Sequence, residues 1–314
     1  MNKKCFKSII YVTIILTVFY RISCQAQETL IKIPSNEEKK TKRNIAIVLG
    51  SEAVALTASM TGLYYLWYAD YEQEPFHFYN DNGEWLQMDK YGHAFSTYTV
   101  GLYGYELLKA VGMKETPAII CGGSLGFVFL GIVEVFDGMS SGWGFSWGDM
   151  AANTFGTALF MSQQLLWHEQ KITMKYSFHQ TKYSQYRPDL LGSNIIENSI
   201  KDYNGMTIWL SFNIKSLILK KDSKFPSWIN VAIGLGADGM TGAFENVSSH
   251  NGIPVPEYQR CRQFYISPDI DLTRIPTNNK FLKTTLKILN FIKIPLPALE
   301  YNSNGNFVWH WIYF

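Results

Sequence analysis

The pattern of apolar and polar positions changes near residue 170 of this 314-residue chain. Before that point, long apolar stretches rich in small residues predict helices. We place four helices, at residues 44–68, 90–111, 117–136 and 149–168. Pro117 then lies in the first turn of the third helix, where a helix tolerates proline.

After residue 170, short stretches with a period of two alternate with Pro, Asn and Gly, which predicts strands. In residues 206–214, apolar side chains at the even positions alternate with Thr207, Trp209, Ser211 and Asn213. A pleated strand sends these two sets of side chains to opposite faces. Further strands are predicted at residues 172–183, 229–237, 261–272, 296–302 and 306–314. Residues 279–292 have the pattern of an amphipathic helix.

These elements predict an α+β protein with an N-terminal four-helix membrane-type bundle, followed by an antiparallel β-sheet or partial barrel of about six strands. Because the smallest usual outer-membrane barrel has eight strands, an open or half-closed sheet is expected. Helices one and three are long enough to cross a bilayer of about 30 Å, although a buried soluble bundle has the same pattern. The predicted domains are a charged lead-in at 27–43, the bundle at 44–170 and the β-rich part at 171–314.

The N-terminus has the features of an export signal at residues 1–26. A lysine-rich start precedes the apolar run Ile9–Phe19, and the small-residue stretch "SCQAQ" follows, with cleavage expected after Ala26. Cys24 offers an alternative as a lipidated cysteine, but Arg21 stands where a lipoprotein signal has an aliphatic residue. We therefore expect an exported protein of the cell envelope.

Composition and charge narrow the choice of partner and compartment. The chain is 47% hydrophobic and 17% charged, and loss of the signal leaves 24 basic against 26 acidic residues, so no basic surface for nucleic acid is expected. Loops 69–88 and 137–148 are acidic and lack Lys and Arg, which opposes the positive-inside tendency for an exported N-terminus. The aromatic ending "FVWHWIYF" resembles outer-membrane strands. We favour a periplasmic or outer-membrane-associated location, with the inner membrane as the alternative.

Ionisable residues are concentrated at predicted helix ends. In an up-down bundle, the start of helix two, the end of helix three and the start of helix four lie together. Residues four apart share a helix face, as Asp89 does with His93 and Asp149 with Asn153. One interpretation is a network of caps and satisfied polar groups; the other is a substrate or ion site with at least one perturbed ionisation. In the second, the candidate catalytic residues are His93, Glu134 and Asp149, and the binding residues are Asp89, Lys90, Asp137, Asn153 and Gly156.

The stretch "DKYGH" at 89–93, then Glu134 and "SWGDMAANTFG" at 146–156, resembles the YfiM-like family of predicted periplasmic lipoproteins, a domain of unknown function. A more distant similarity is to VanZ-like membrane proteins, which carry a related D-K-x-x-H, Glu and D-x-x-x-N-x-x-G series. The resemblance covers residues 43–165 and excludes the strand-rich part. It implies the signature positions Asp89, Lys90, His93, Glu134, Asp149, Asn153 and Gly156.

Three hypotheses of function follow. The first is a non-catalytic envelope protein that binds membrane lipid or glycolipid or supports envelope assembly, since an export signal, membrane-like helices and aromatic strands occur together and the sequence contains no H-E-x-x-H motif. The second is a membrane enzyme for a lipid-linked or phosphorylated envelope substrate, with His93 as acid/base and the carboxylates orienting it or holding a divalent ion. The third is a transport component. No organic cofactor is predicted. A bound divalent metal ion is kept as an alternative, and protein partners are not assigned.

Overall fold

The computed structural model describes residues 36–219 and 222–314. The predicted export signal, its cleavage site and Cys24 lie outside these residues. The helices are α1 (Asn36–Leu63), α2 (Met88–Ala110), α3 (Glu115–Asp137), α4 (Trp147–Trp167), α5 (Pro188–Leu191), α6 (Ile195–Lys201), α7 (Ile214–Leu217) and α8 (Lys280–Leu289). A π-helical turn, Tyr64–Tyr68, continues α1, and 3-10 turns are formed by Glu84–Gln87 and Leu272–Arg274. The strands are β1 (Ile172–Phe178), β2 (Met206–Asn213), β3 (Ile229–Asp238), β4 (Ser249–His250), β5 (Ile253–Pro254), β6 (Cys261–Ile270), β7 (Leu296–Asn302) and β8 (Phe307–Tyr313).

The chain is a mixed helix and strand protein, as predicted, with the four long helices and the six strands at the expected places. The first helix begins earlier than expected, at Asn36, so that residues 36–43 form exposed helical turns. Glu37 and Glu38 lie in this first turn, where acidic side chains complement the helix dipole. Helices α5 to α7 were not predicted, because segments of four to seven residues are too short to show a helical period.

The described chain forms two compact units. The helical unit comprises the residues up to Asp81 together with Ser96–His168, and the strand unit comprises Asn82–Phe95 together with Glu169–Phe314. The division at residue 168 lies close to the predicted domain boundary. Residues 82–95 differ, since the sequence placed them with the helices.

Residues 82–95 join the strand unit through apolar packing. Trp85 and Met88 are buried in one cluster with Leu191, Met206 and Met240. These partners are distant in sequence. The local sequence of residues 82–95 therefore gave no indication that these side chains pack against the strand unit.

Small residues let two helices of the helical unit approach closely. A Cβ atom on Gly101 of α2 would lie 2.6 Å from the carbonyl oxygen of Gly123 of α3. A Cβ atom on Gly122 would collide with the backbone of Gly104 and Tyr105. The small residues of "GGSLG" at 122–126 therefore allow this close helix contact.

Two helical stretches, Asn36–Tyr68 and Glu115–Asp137, are long and apolar enough to cross a membrane. This finding rests on length and composition alone, because buried core helices pass the same test. The second stretch is about half buried, whereas the first is mostly exposed. Glu52 of α1 is itself buried, and neither of its carboxylate oxygens has a hydrogen-bond partner among the described residues.

The strand unit is built on an antiparallel sheet with the strand order β1-β2-β3-β6-β7-β8. Among the described residues β1 and β8 are the edge strands, so the sheet is not closed into a barrel. The backbone of Tyr176 in β1 also bonds the segment before β7: its N donates to Phe291 O at 2.8 Å, and its O accepts from Lys293 N at 2.9 Å. This contact covers part of one edge.

One face of the sheet is buried and carries polar side chains beside a small cluster that includes Trp209 and Tyr265. Lys175 and Asp269 are 0–1% exposed, and their Nζ and Oδ2 atoms form an ion pair at 2.8 Å. The Ser211 hydroxyl donates to the same Oδ2 at 2.6 Å, and Trp209 Nε1 donates to the Ser177 hydroxyl at 2.9 Å. Buried polar groups must be paired in this way to be tolerated. The alternating pattern was thus predicted, and the face that carries these polar side chains is buried.

Candidate functional site

A left-handed turn delivers the first group of predicted site residues. Trp85, Leu86 and Gln87 have φ angles of 48°, 49° and 67°, a conformation that costs about 1 kcal/mol or more per residue. Arg262 of β6 holds the turn, because its Nη1 donates to Leu86 O at 2.8 Å and to Gln87 Oε1 at 3.2 Å. The turn leads directly into α2, whose first turn carries Asp89.

Asp89 is the centre of a polar group in the strand unit. Lys90 Nζ lies 3.3 Å from Asp89 Oδ2, and His93 Nε2 lies 3.7 Å from Asp89 Oδ1. The phenol of Tyr203 donates to Asp89 Oδ1 at 2.8 Å. The predicted face shared by Asp89 and His93 is therefore present, and a tyrosine completes it.

The surroundings of Asp89 favour its ionised form. Burial alone disfavours a charged carboxylate, but the attraction of His93 and Lys90, with hydrogen bonds from Tyr203 and Lys90, outweighs it. The pKa of Asp89 therefore lies below its ordinary value. An ionised Asp89 can orient the imidazole of His93, as carboxylates do beside catalytic or metal-binding histidines.

The helical unit holds the second group of predicted site residues, at the start of α4. Ser146 is the N-cap residue: its hydroxyl accepts from Asp149 N at 3.1 Å and donates to Asp81 Oδ1 at 2.6 Å. Its backbone N donates to Glu134 Oε2 at 3.0 Å. Ser146 therefore ties together the end of α3, the start of α4 and the loop before residue 82.

The other predicted residues of this unit also have defined places. Asn153 is fully buried and Gly156 is buried one turn later on α4. Asp137, at the end of α3, accepts a hydrogen bond from the Tyr68 phenol at 2.6 Å. Within the helical unit, Ser146 thus connects Glu134 with Asp149. Asp137 instead contacts Tyr68, in the π-helical turn that follows α1.

Several partners were missed from the sequence. Tyr203 lies 114 residues from Asp89, and no local pattern marks it. Asp81 is one of several acidic loop residues and carries no distinguishing signal. Ser146 could have been found, because S-x-x-D before a helical stretch is a capping-box pattern.

The structure accordingly brings the predicted residues together in two groups, one in each unit. The joining of these groups into one pocket stays a prediction. For a metal, Asp89 and His93 offer one oxygen and one nitrogen ligand on a single helix turn, and Glu134 and Asp149 offer carboxylates in the other group. Their recruitment to one ion likewise stays a prediction.

The fold and these two groups define a class: a mixed helix and strand protein that carries an Asp-Lys-x-x-His start on one helix and an Asp-x-x-x-Asn series on another. Residues 77–164 match the family described as "Predicted periplasmic lipoprotein (DUF2279)". This match confirms the first of the two resemblances and agrees with an exported protein of the cell envelope. It does not support the similarity to VanZ-like proteins. No curated protein and no solved structure matches the chain.

Proposed function

We propose that this protein is a non-catalytic, lipid-contacting component of the cell envelope, and that the sheet of the strand unit is the surface that meets lipid acyl chains. The observation that carries this proposal is the burial pattern of the sheet: the face that carries the polar side chains is buried, whereas the opposite, apolar face is exposed from β3 to β8. Outer-membrane proteins distribute their strand residues in this sense, with apolar side chains outward. Soluble sheets bury the apolar face instead.

The exposed apolar residues form continuous rows across neighbouring strands. Ile233, Ile266, Leu299 and Trp309 are paired in register from β3 to β8 and are 48%, 52%, 36% and 52% exposed. A second row consists of Phe264, Tyr301 and Phe307, and it is exposed as well. Neither row contains a charged residue. Contiguous apolar surface of this kind marks a membrane or partner contact.

Helix α8 in the same unit has a composition suited to a lipid surface. Its apolar side chains Phe281 and Ile288 are 81% and 55% exposed. Lys280, Lys283 and Lys287 lie on the same short helix. Exposed apolar groups beside lysines are typical of helices that lie in the membrane interface and contact anionic lipid.

The proposal extends to the helical unit as a membrane-type bundle of α1 to α4. The glycine contacts between α2 and α3 and the exposed apolar surface of α1, including Val54 and Ile47, support it. Membrane lipid or glycolipid is then the partner of both units. We further propose an outer-membrane association. The exposed aromatic side chains of Trp311 and Phe314, at the end of the last strand, support it.

Binding of the full chain to lipid vesicles tests this function. The double substitution Ile266→Asp/Trp309→Asp places two charges in the exposed apolar row. Because each large apolar side chain gains roughly 1.5–3 kcal/mol on burial, we expect vesicle affinity to fall at least about tenfold. Co-sedimentation with vesicles of mixed anionic and neutral lipid measures it.

The matched control is Asn304→Asp/Asn306→Asp, which adds the same charge at exposed polar positions of the turn between β7 and β8. We expect this control to bind as the unsubstituted protein does. Near-ultraviolet circular dichroism checks that both double variants keep their packing. Equal vesicle binding by all three proteins would contradict the proposal.

The second candidate function is an enzyme for a lipid-linked or phosphorylated substrate. The group of Asp89, His93 and Tyr203 favours it, because His93 Nε2 lies 3.7 Å from Asp89 Oδ1 and an oriented imidazole is a common acid/base. Metal analysis distinguishes its metal-dependent form: a stoichiometric ion that is lost on His93→Gln would favour the enzyme. Under our proposal, His93→Ala and Asp149→Ala lower the unfolding temperature and leave lipid binding intact.

A further inference from the structure

A small aromatic cavity lies in the helical unit, at the end of α1. Tyr64 and Tyr68 from the π-helical turn, Tyr71 and Glu72 from the following loop, and Phe136 from α3 line it. The cavity volume is about 30 Å³. Since one water molecule needs about 10–15 Å³ by this measure, the cavity holds a group about the size of two waters.

The walls of the cavity are held by direct contacts. The Tyr68 phenol donates to Asp137 Oδ1 at 2.6 Å, and the ring of Trp143 packs against the rings of Tyr68 and Tyr71 at centroid distances of 5.6 and 4.4 Å. The backbone of the loop is bonded to the segment after α3, with Ser141 N donating to Glu72 O at 2.9 Å. The rings are thus fixed before any ligand arrives, which lowers the entropic cost of binding.

The backbone around the tyrosines is itself unusual. Residues Tyr64–Tyr68 form a π-helical turn, closed by a hydrogen bond from Ala69 N to Tyr64 O at 2.9 Å. Such turns are rare and occur frequently at functional sites. In this protein the π-helical turn carries Tyr64 and Tyr68, two of the three tyrosines that line the cavity.

The charge around the cavity has one sign. Glu72 lines it, Asp137 holds its wall, and Asp70 and Glu74 flank the loop. The sequence has no Lys or Arg in residues 44–89 or in residues 115–170. The ligand that this surface attracts is therefore a cation, and tyrosine rings beside a carboxylate suit an organic ammonium group.

We propose that this cavity binds a primary ammonium group. The space of about 30 Å³ favours an –NH₃⁺ group, which is close to water in size, over the larger trimethylammonium group. The group has two possible sources with the same chemistry: the ethanolamine headgroup of a phospholipid, or a free amine. The site stands on the helical unit alone and does not depend on the proposed lipid contact of the sheet.

Ligand-observed nuclear magnetic resonance on the full chain in a non-ionic detergent tests the site, with ethanolamine as the probe. We expect saturable binding of ethanolamine, and choline at least about tenfold weaker because of its size. Tyr71→Leu and Glu72→Gln each remove a lining group and should weaken ethanolamine binding about tenfold. Choline binding as tightly as ethanolamine would overturn the proposal, and so would the absence of saturable amine binding.

Two neighbours provide matched controls. Tyr65 is on the same turn and Glu74 on the same loop, but neither lines the cavity. Tyr65→Leu and Glu74→Gln should therefore keep the affinity for ethanolamine, and a loss equal to that of Tyr71→Leu and Glu72→Gln would contradict the assigned site. Competition by vesicles that contain phosphatidylethanolamine, compared with vesicles of phosphatidylglycerol, assigns the lipid headgroup as the source. Retained ethanolamine binding without such competition assigns a free amine.

Discussion

Lys293 is a charged residue buried in the strand unit, and it shows both the cost of burying charge there and the contacts that stabilise it. Its Nζ donates to Ser267 Oγ at 3.1 Å and to the carbonyl oxygens of Pro268 and Ile294 at 2.9 Å each. Burial lowers its pKa to about 8, because loss of water outweighs the attraction of Asp269. The strand unit therefore contains a buried ammonium group that is close to losing its proton.

This lysine makes stability depend on pH in the alkaline range. An unfolded lysine keeps its proton up to about pH 10, whereas the folded one loses it above about 8. Between these values the unfolded state binds more protons, so the free energy of unfolding gains a contribution that rises with pH, up to about 3 kcal/mol. We expect Lys293→Met to lose this rise, as measured by urea unfolding from pH 7 to 10. The exposed Lys283→Met should retain it, and a rise that persists in Lys293→Met would refute the assignment.

At the scale of secondary-structure elements, glycine positions decide how closely α2 and α3 pack. A Cβ atom on Gly122 would collide with backbone of α2, whereas a Cβ atom on Gly131 of the same helix would meet nothing within 4 Å. The first glycine is therefore required by packing and the second is not. Helix propensity favours alanine at both positions by about 1 kcal/mol.

These two glycines make a matched pair of variants. Gly122→Ala should destabilise the protein by roughly 1–3 kcal/mol, because the backbones must separate. Gly131→Ala should leave the stability unchanged or raise it by up to about 1 kcal/mol. Thermal unfolding in detergent measures both, and an equal effect of the two substitutions would show that the close helix contact is not needed.

The elements also show which parts of the fold the sequence could predict. The long helices follow from long apolar stretches and the six strands from a period of two, and local sequence carries both signals. The period does not say which face of a strand is buried, and in β2 the polar Thr207 and Ser211 are buried, as is Ile208 on the opposite face. The pair of Asp89 and His93 was predictable from its spacing, whereas Tyr203 reaches Asp89 only through tertiary folding.

For the whole molecule, the proposed outer-membrane location rests on the expected export signal and on the proposed lipid-contacting face of the sheet. We expect a C-terminally tagged chain to be recovered with the outer membrane, because the exposed rows of the sheet would bind it. Cys24→Ser should leave this distribution unchanged if the sheet, and not an acyl chain on the cysteine, provides the attachment. Density-gradient fractionation of the envelope measures both proteins. Recovery in the inner-membrane fraction would reject the outer-membrane proposal.

The placement of residues 82–95 in the strand unit has a consequence for relatives and for truncated versions of the chain. The family match ends at residue 164, but Trp85 and Met88, which it includes, are buried by residues from 183 to 240. A shorter homologue that retains only the matched segment must shield the equivalents of these two side chains with other material. An expression fragment that stops at residue 168 would leave both without their natural cover and so invite aggregation. The two units therefore cannot be expressed as separately folding fragments by dividing the chain at one position, because the strand unit includes residues 82–95.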